Sequence, residues 1–404
     1  MVLDRGVGRT AKQLRDPRAR AVRFVLTVGI MSFFADFTYE SSRAIVGPYF
    51  ALLGASATAV AVITGFGELL GYGFRLVSGK LSDRTRQFWP ITIFGYVIQM
   101  ASVPLLALAP SWQLAGVLVV LERLGRATRN PPRDVMLSHA AKEMGYGWAF
   151  GVHEALDQLG ALFGPLAIAV VLAVRHEYRL AFALLAIPAA IMLLLLGYAR
   201  RTYPAPEDLA GPGAEVKTGG LPRVFWIYLF GALLVAAGFA DYPFMAFHLE
   251  TRRVLPQAWI PVYYAVGMGA SGLGSLVFGR IFDRVGLVVL LPLTVVTSLF
   301  APLVFLGNAW MALLGVALWG VGMGVHESLI PAAVGPMTSI EHRASAYGLF
   351  TAGYGIFWFL GSVLIGLLYE RSRIAVVVFC VLAEVAALPF FLAASRRLPR
   401  PRAA

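Results

Sequence analysis

The sequence predicts an all-α integral membrane protein: twelve transmembrane helices in two pseudo-symmetric six-helix bundles. Of 404 residues, 58% are hydrophobic and 14% charged, and the mean hydropathy is +0.73, whereas a soluble domain is about 25% charged. Apolar runs of about 20 residues, each long enough to cross a ~30 Å hydrocarbon core as a helix, recur from residue 23 to residue 395. The short alternating segments of a membrane β-barrel are absent. Midway, residues 200–222 (RRTYPAPEDLAGPGAEVKTGGLP) turn rich in Pro, Gly and charge, the composition of a flexible linker.

In order, the helices are read at 23–47, 58–80, 89–109, 112–132, 146–173 and 179–199, then at 223–248, 259–281, 287–307, 309–335, 343–369 and 373–394. The plan is therefore a basic segment (1–22), a first bundle (23–199), the linker (200–222), a second bundle (223–395) and a basic tail (396–404). The net charge of +12 is concentrated at the ends: Arg5, Arg9, Lys12, Arg15, Arg18, Arg20 and Arg23 precede the first helix, and Arg396, Arg397, Arg400 and Arg402 follow the last. Both termini are expected in the cytoplasm of a multi-pass protein of the cell (inner) membrane. The 80–88 loop holds Arg84 and Arg86, while the 48–57 and 109–112 turns hold no Lys or Arg; loops 174–179, 249–258 and 370–373 do carry arginines, so the rule acts as a bias. The basic leader runs into a full-length span without a small-residue cleavage site, so no signal peptide is expected. With no basic folded domain, nucleic acid is not an expected partner. The single cysteine, Cys380, excludes a disulfide framework and a cysteine metal cluster.

The two halves repeat. Phe34-Ala35-Asp36 recurs as Phe239-Ala240-Asp241, Gly79-Lys80-Leu81-Ser82-Asp83-Arg84 as Gly279-Arg280-Ile281-Phe282-Asp283-Arg284, and Gly125, Gly151 and Gly164 as Gly322, Gly348 and Gly361. Two parallel six-helix repeats are a known plan of secondary transporters, which hold substrate near the midplane between the halves. With the central linker and the paired Gly-x-x-x-Asp-Arg signatures, residues 23–395 resemble the major facilitator superfamily. The second signature, GRIFDRVG, fits better, with Gly286 where the first has Arg86. The resemblance implies that the first, fourth, seventh and tenth helices line a central cavity. It also implies that the loop residues Gly79, Asp83, Arg84, Gly279, Asp283 and Arg284 act as gates, the acid and its following Arg holding neighbouring helix ends together when the transporter faces outward. An acid beside a helix N-terminus gains ~0.3–1 kcal/mol, the right size for a latch that can open.

Charges inside the spans are expensive, ~2.5–3.5 kcal/mol each at mid-bilayer on insertion scales, and they mark the candidate site. The densest stretch is ERLGRATRNPPRD, Glu122 to Asp134. Arg126 and Arg129 are expected at the depth of His153, Glu154 and Asp157 on the returning helix. They either brace the two helices as a salt-bridge network, or Arg126 or Arg129 binds an anionic substrate, since Arg suits bidentate carboxylate recognition, or exchanges partners as a gate, with Glu154 and Asp157 as further pathway candidates. Asp36, Glu40 and Arg43 share one helix face; Asp36 or Glu40 takes substrate or a proton, or Glu40 and Arg43 form an internal pair. Asp241 is a pathway residue or a bend cap beside Pro243. Glu68 is a mid-depth candidate, and His326 and Glu327, at the positions matching Arg129-Asn130, are pathway candidates, with a satisfied interhelical donor as the other reading of His326. Gly160 to Pro165 resembles the start of an antiporter motif, but Gly-x-x-x-Gly spacing is also common helix packing.

The expected function is secondary active transport of a small molecule by alternating access, proton-coupled, with efflux favoured over uptake of an organic anion or export of a metal chelate. The partners are substrate, protons and lipid, and the protein is expected to be a monomer. No P-loop points to ATP and no His-Glu-x-x-His to a zinc protease. Neither an enzyme activity, a cofactor nor a bound metal is therefore expected, and an intramembrane enzyme or a non-transporting sensor is the reading from a different class.

Overall fold

A computed structural model describes residues 17–144, 146–204, 220–338 and 342–397; parts of the two basic ends and most of the central linker lie outside them. The described chain is helical, without strands. The first half consists of α1 (Pro17–Leu52), α2 (Ala57–Thr85), α3 (Phe88–Leu105), α4 (Trp112–Met144), α5 (Tyr146–Arg175), and the consecutive segments α6 (Tyr178–Leu184) and α7 (Ala186–Thr202). The second half consists of α8 (Arg223–Gly238), α9 (Tyr242–Thr251), α10 (Trp259–Val285), α11 (Leu290–Ser298), α12 (Phe300–Leu306) and α13 (Ala309–Gly324). A π-helical turn at Val325–Leu329, two short pieces, α14 (Ile330–Ala332) and α15 (Val334–Met337), and then α16 (Arg343–Arg371) and α17 (Arg373–Ser395) follow.

Ten stretches among the described residues are long and apolar enough to cross a membrane. They depart from the twelve expected in two places. Trp259–Leu306 forms one continuous run of 48 residues where two spans were read, and α4, the charge-bearing helix, is not among the ten. Large apolar side chains such as Leu194 and Trp310 are 75% and 79% exposed on the outside of the bundle, a surface that lipid would cover.

Two proline sites show how the helices deviate from the reading. The fourth helix runs on to Met144, well past the expected end at residue 132, although Pro131 and Pro132 lie inside it. Proline removes an i→i−4 hydrogen bond, and the carbonyl that Pro131 would leave open, that of Ala127, instead accepts from Ser78 Oγ of α2 at 2.8 Å. The expected helix 223–248, by contrast, breaks between Gly238 and Tyr242. Asp241 caps α9, its carboxylate accepting from the Tyr242 N–H at 2.9 Å, and Trp319 Nε1 donates to the Ala240 carbonyl at 2.9 Å. These two backbone groups at the break are thus satisfied inside the protein, as a membrane interior requires.

Within the first half α1 packs on α5, and α4 packs on α2 and α3; in the second, α10 packs on α13 and α8 on α17. The halves are joined chiefly by α2 with α16, α5 with α10, and α1 with α9, with smaller contacts of α9 with α2 and of α10 with α1. Tyr203, Pro222 and the start of α1 share one face of the bundle, where Phe24 packs on Tyr203 with ring centroids 5.0 Å apart and Trp89 Nε1 donates to the Tyr203 carbonyl at 2.9 Å. We call this the linker face, and the opposite one the far face. At the far face the halves are closed on each other: the Thr58 N–H donates to Glu370 at 3.1 Å, and Tyr178 donates to Glu250 at 3.1 Å. A Cβ at Gly47 of α1 would collide with the Pro243 carbonyl of α9. Gly47→Ala is therefore expected to disfavour this closed far face; spin labels across it should show the separated population rise, and an unchanged distance distribution would contradict the contact.

Candidate functional site

Five ionisable side chains converge where α1, α2 and α4 meet the start of α9, all at most 7% exposed: Arg43, Glu68, Glu122, Arg123 and Asp241. Arg43 donates to Asp241 at 2.6 Å, across the two halves, and to Glu68 at 3.4 Å. Arg123 lies 3.0 Å from Glu68, 3.7 Å from Glu122 and 3.9 Å from Asp241, and it also donates to the Tyr39 hydroxyl. A second contact joins the halves beside it, the Tyr264 hydroxyl of α10 donating to Glu40. Burying charges costs several kcal/mol per ion unless each finds partners of good geometry, and this interlocked set supplies them. Of the two readings of Asp241 the cap is what the structure shows, and in addition it anchors Arg43. Arg43 pairs with Asp241 and Glu68, so the expected Glu40–Arg43 ion pair is not what forms.

Arg129 is held on three sides. It donates to Gln99 at 2.6 Å and to the Tyr96 hydroxyl at 3.1 Å, lies 3.8 Å from Asp36, and is 1% exposed. Arg126, one helical turn earlier, makes no hydrogen bond or ion pair within the described residues. Its guanidinium stacks over the Tyr39 ring at 4.3 Å, and its charged neighbours are Asp36, Glu40 and Glu327. Neither arginine pairs with Glu154 or Asp157. The expected brace between the fourth and fifth helices is replaced by pairs from α4 to α1, α2 and α3, because the arginine face of α4 turns toward those helices.

Glu327 lies across from Arg126. It is exposed and, like Arg126, makes no hydrogen bond or ion pair within the described residues; its charged neighbours are Arg126, Arg43, Glu40 and Glu154. It sits in the π-helical turn, a geometry that recurs at functional sites. Ser275 and Ser328 both donate to the Gly324 carbonyl there, at 3.2 and 2.5 Å. His326 points the other way, into the second half, hydrogen-bonded to Tyr354 at 2.7 Å and packed on Phe239 with ring centroids 4.1 Å apart. It is a satisfied interhelical histidine, and Glu327 turns away from it toward the charges of the first half.

Below this cluster a cavity of about 430 Å³ opens at the linker face, lined by Arg133, Asp134, Phe150, Gly151, His153, Glu154 and Asp157. Arg133 is paired with Asp134 at 2.7 Å. Asp83, Arg84, Asp283 and Arg284 are exposed and make no hydrogen bond or ion pair within the described residues. The signatures lie in the last turns of α2 and α10 and not in loops. The carboxylates therefore sit at the unfavourable, C-terminal end of their own helix dipoles. Arg86 and Gly286 end these helices at φ of 55° and 67°; Gly286 pairs this with ψ of −149°, which only glycine adopts readily, whereas Arg86 takes the milder left-handed form. Gly160 and Gly164 bring α5 against the Phe33 and Phe37 carbonyls of α1, so their spacing is accounted for by packing.

Sequence reasoning passed over Tyr39, Tyr96, Gln99 and Tyr264. An aromatic or amide is unremarkable in a span, and only its proximity to a guanidinium or carboxylate marks it. Glu122 and Arg123 stood in the quoted stretch without being chosen. Glu384 is fully buried against α11, 3.5 Å from Thr297, away from the cavity.

Two helical halves joined through buried charges, with a charged cavity between α4 and α5 at the linker face, form a polytopic membrane transporter, and a non-enzymatic one. The model of the Major Facilitator Superfamily matches residues 28–334 and 255–404, and the chain belongs to that family. An uncharacterized protein of Mycobacterium tuberculosis is 40% identical over 392 residues, covering 95% of each chain. An uncharacterized MFS-type transporter of Methanocaldococcus jannaschii is 24% identical over 364 residues, covering 86% of this chain and 89% of the other. In fold, the chain is similar to a mutant of the nucleoside transporter NupG, with a TM-score of 0.75 at 13% identity over 92% of this chain and 99% of that one. It is also similar to a bacterial homologue of the human lysosomal transporter Spinster in an inward-facing, unoccupied conformation, with a TM-score of 0.69 at 15% identity, covering 93% of this chain and 97% of that one.

Proposed function

We propose that the protein is a proton-coupled secondary transporter of a small organic anion, and that the linker face is cytoplasmic, as the arginine-rich ends favour. The observation that supports this reading best is the unpaired Arg126, stacked on Tyr39 in a region where every neighbouring arginine of α4 has an acidic partner. An unpaired guanidinium is the chemistry that takes a carboxylate or phosphate in bidentate fashion. With the far face closed and a cavity of about 430 Å³ at the linker face, loading would take place from the cytoplasmic side, which fits export. Glu40 and Asp241 bridge the halves through Tyr264 and Arg43, so protonating either loosens a contact between them; Asp36 does the same to Arg129, and Glu68 to both Arg43 and Arg123. Rocking of the bundle 23–199 against the bundle 223–395 then exchanges the open face, with Asp83–Arg84 and Asp283–Arg284 engaging when the cytoplasmic side closes. Glu154 and Asp157 line the entrance, and Glu327 faces the cargo site.

Reconstituted protein tested against a panel of small carboxylates and phosphate esters under an imposed pH gradient checks this reading. At least one anion is expected to move, and Asp36→Asn or Asp241→Asn to abolish the pH-driven component. A panel in which nothing moves, or movement unchanged in both variants, would overturn the proton-coupled assignment.

A further inference from the structure

We propose that His153, Glu154 and Asp157 form a binding site for a divalent transition-metal ion at the cytoplasmic-side entrance of the cavity. One donor atom from each of the three lies within 4.8 Å of the others. The closest approach, His153 Nδ1 to Asp157 Oδ2, is 3.7 Å, and two ligands about 2.1 Å from a shared tetrahedral Zn²⁺ stand about 3.4 Å apart. The site therefore closes on an ion with small side-chain movements.

The hydrogen bonding points the same way. His153, whose side chain is 5% exposed, uses Nε2 to meet Ser32 Oγ at 2.8 Å. In the tautomer with the proton on Nε2, this is the outer-shell bond that metal-bound histidines make with the ring nitrogen not ligating. Nδ1 is left aimed at Asp157 with no hydrogen bond, because 3.7 Å is too long for one. The other carboxylate oxygen, Asp157 Oδ1, is buried and has no partner either. Glu154, at the cavity wall, accepts from Gln158 at 3.0 Å through one oxygen, which leaves it lone pairs to spare. Two acceptors facing each other in a buried corner, with this third beside them, lack the cation that would satisfy them. The nearest opposing charge, Arg133, is neutralised by Asp134 at 2.7 Å.

One imidazole and two carboxylates suit Zn²⁺, Co²⁺ or Mn²⁺ better than Mg²⁺ or Ca²⁺, which favour oxygen-only shells. Three protein ligands leave the remaining positions open to the cavity of about 430 Å³, the arrangement of an exchangeable site and not of a closed structural one. The three ligands all come from α5, so the ion binds one half and does not staple the two together.

Titration of the full-length protein in detergent with Zn²⁺ by calorimetry, and with Co²⁺ by visible absorption, tests this without any transport assay. One site per chain is expected, with affinity falling at least tenfold in His153→Asn and in Asp157→Asn. Glu154→Gln, at an exposed position that folding does not depend on, should also weaken binding and shift the Co²⁺ spectrum. No binding by the parent protein, or affinity and spectrum unchanged in Glu154→Gln and in whichever of the other two variants remains monodisperse, would overturn the proposal.

Discussion

Arg126→Ala is expected to abolish anion transport while leaving the purified protein as heat-stable as the parent, whereas Arg129→Ala should lose both. The two arginines are one helical turn apart, yet their surroundings differ. Arg129 satisfies Gln99, Tyr96 and Asp36, and its removal leaves a buried carboxylate and amide without partners, a loss of about 3–5 kcal/mol for a broken buried pair. Arg126 gives up only its stack on Tyr39, worth about 0.5–2 kcal/mol, and its removal relieves some of the repulsion among the α4 arginines. Transport and thermal unfolding measured on both variants separate the roles. If Arg126→Ala unfolded as readily as Arg129→Ala, Arg126 would be part of the structural network and the anion site would lie elsewhere. Binding that survived in Arg126→Ala while transport was lost would make Arg126 a gate.

Asp241→Ala should be the most destabilising single change in the second half. It strips Arg43 of its 2.6 Å partner and α9 of its cap. The first loss is about 3–5 kcal/mol and the second about 1 kcal/mol. Because one partner lies in each half, the variant should also weaken the closed far face. A double variant, Arg43→Met with Asp241→Ala, should recover part of the lost stability by removing the stranded guanidinium, and the non-additivity of the two changes measures their coupling. Strict additivity would mean that the pair is not coupled in the folded protein.

The parts of the molecule legible in the sequence are those that depend on composition along the chain. Hydropathy located most of the spans because lipid imposes the same requirement on each of them, but α4, with its buried arginines, falls short of it. What could not be read depends on helix rotation and on neighbours distant in sequence. The ERLGRATRN stretch showed that α4 carries arginines, but which of them is free is decided by Gln99 and Tyr96 on α3 and Tyr39 on α1. Pro243 made a bend in the seventh span and the capping role of Asp241 readable, but not the pair that Asp241 makes with Arg43 across the halves. Pro131-Pro132 misled, since the hydroxyl that rescues the helix, Ser78, comes from another span. The π-helical turn, which separates Glu327 from His326, has no signal in a periodicity of 3.6 residues.

The central claim is that the halves exchange the open face by rocking about the cluster of Arg43, Asp241, Glu40 and Tyr264. Paired distance measurements between spin labels test it, with one pair at Trp148 and Arg284 on the linker face and one at Leu52 and Arg252 on the far face, recorded in lipid across pH. Each distance should populate two values, and the linker-face separation should shrink in the same proportion of molecules in which the far-face separation grows. A single distance at each face under all conditions, or changes at one face without the other, would contradict the account.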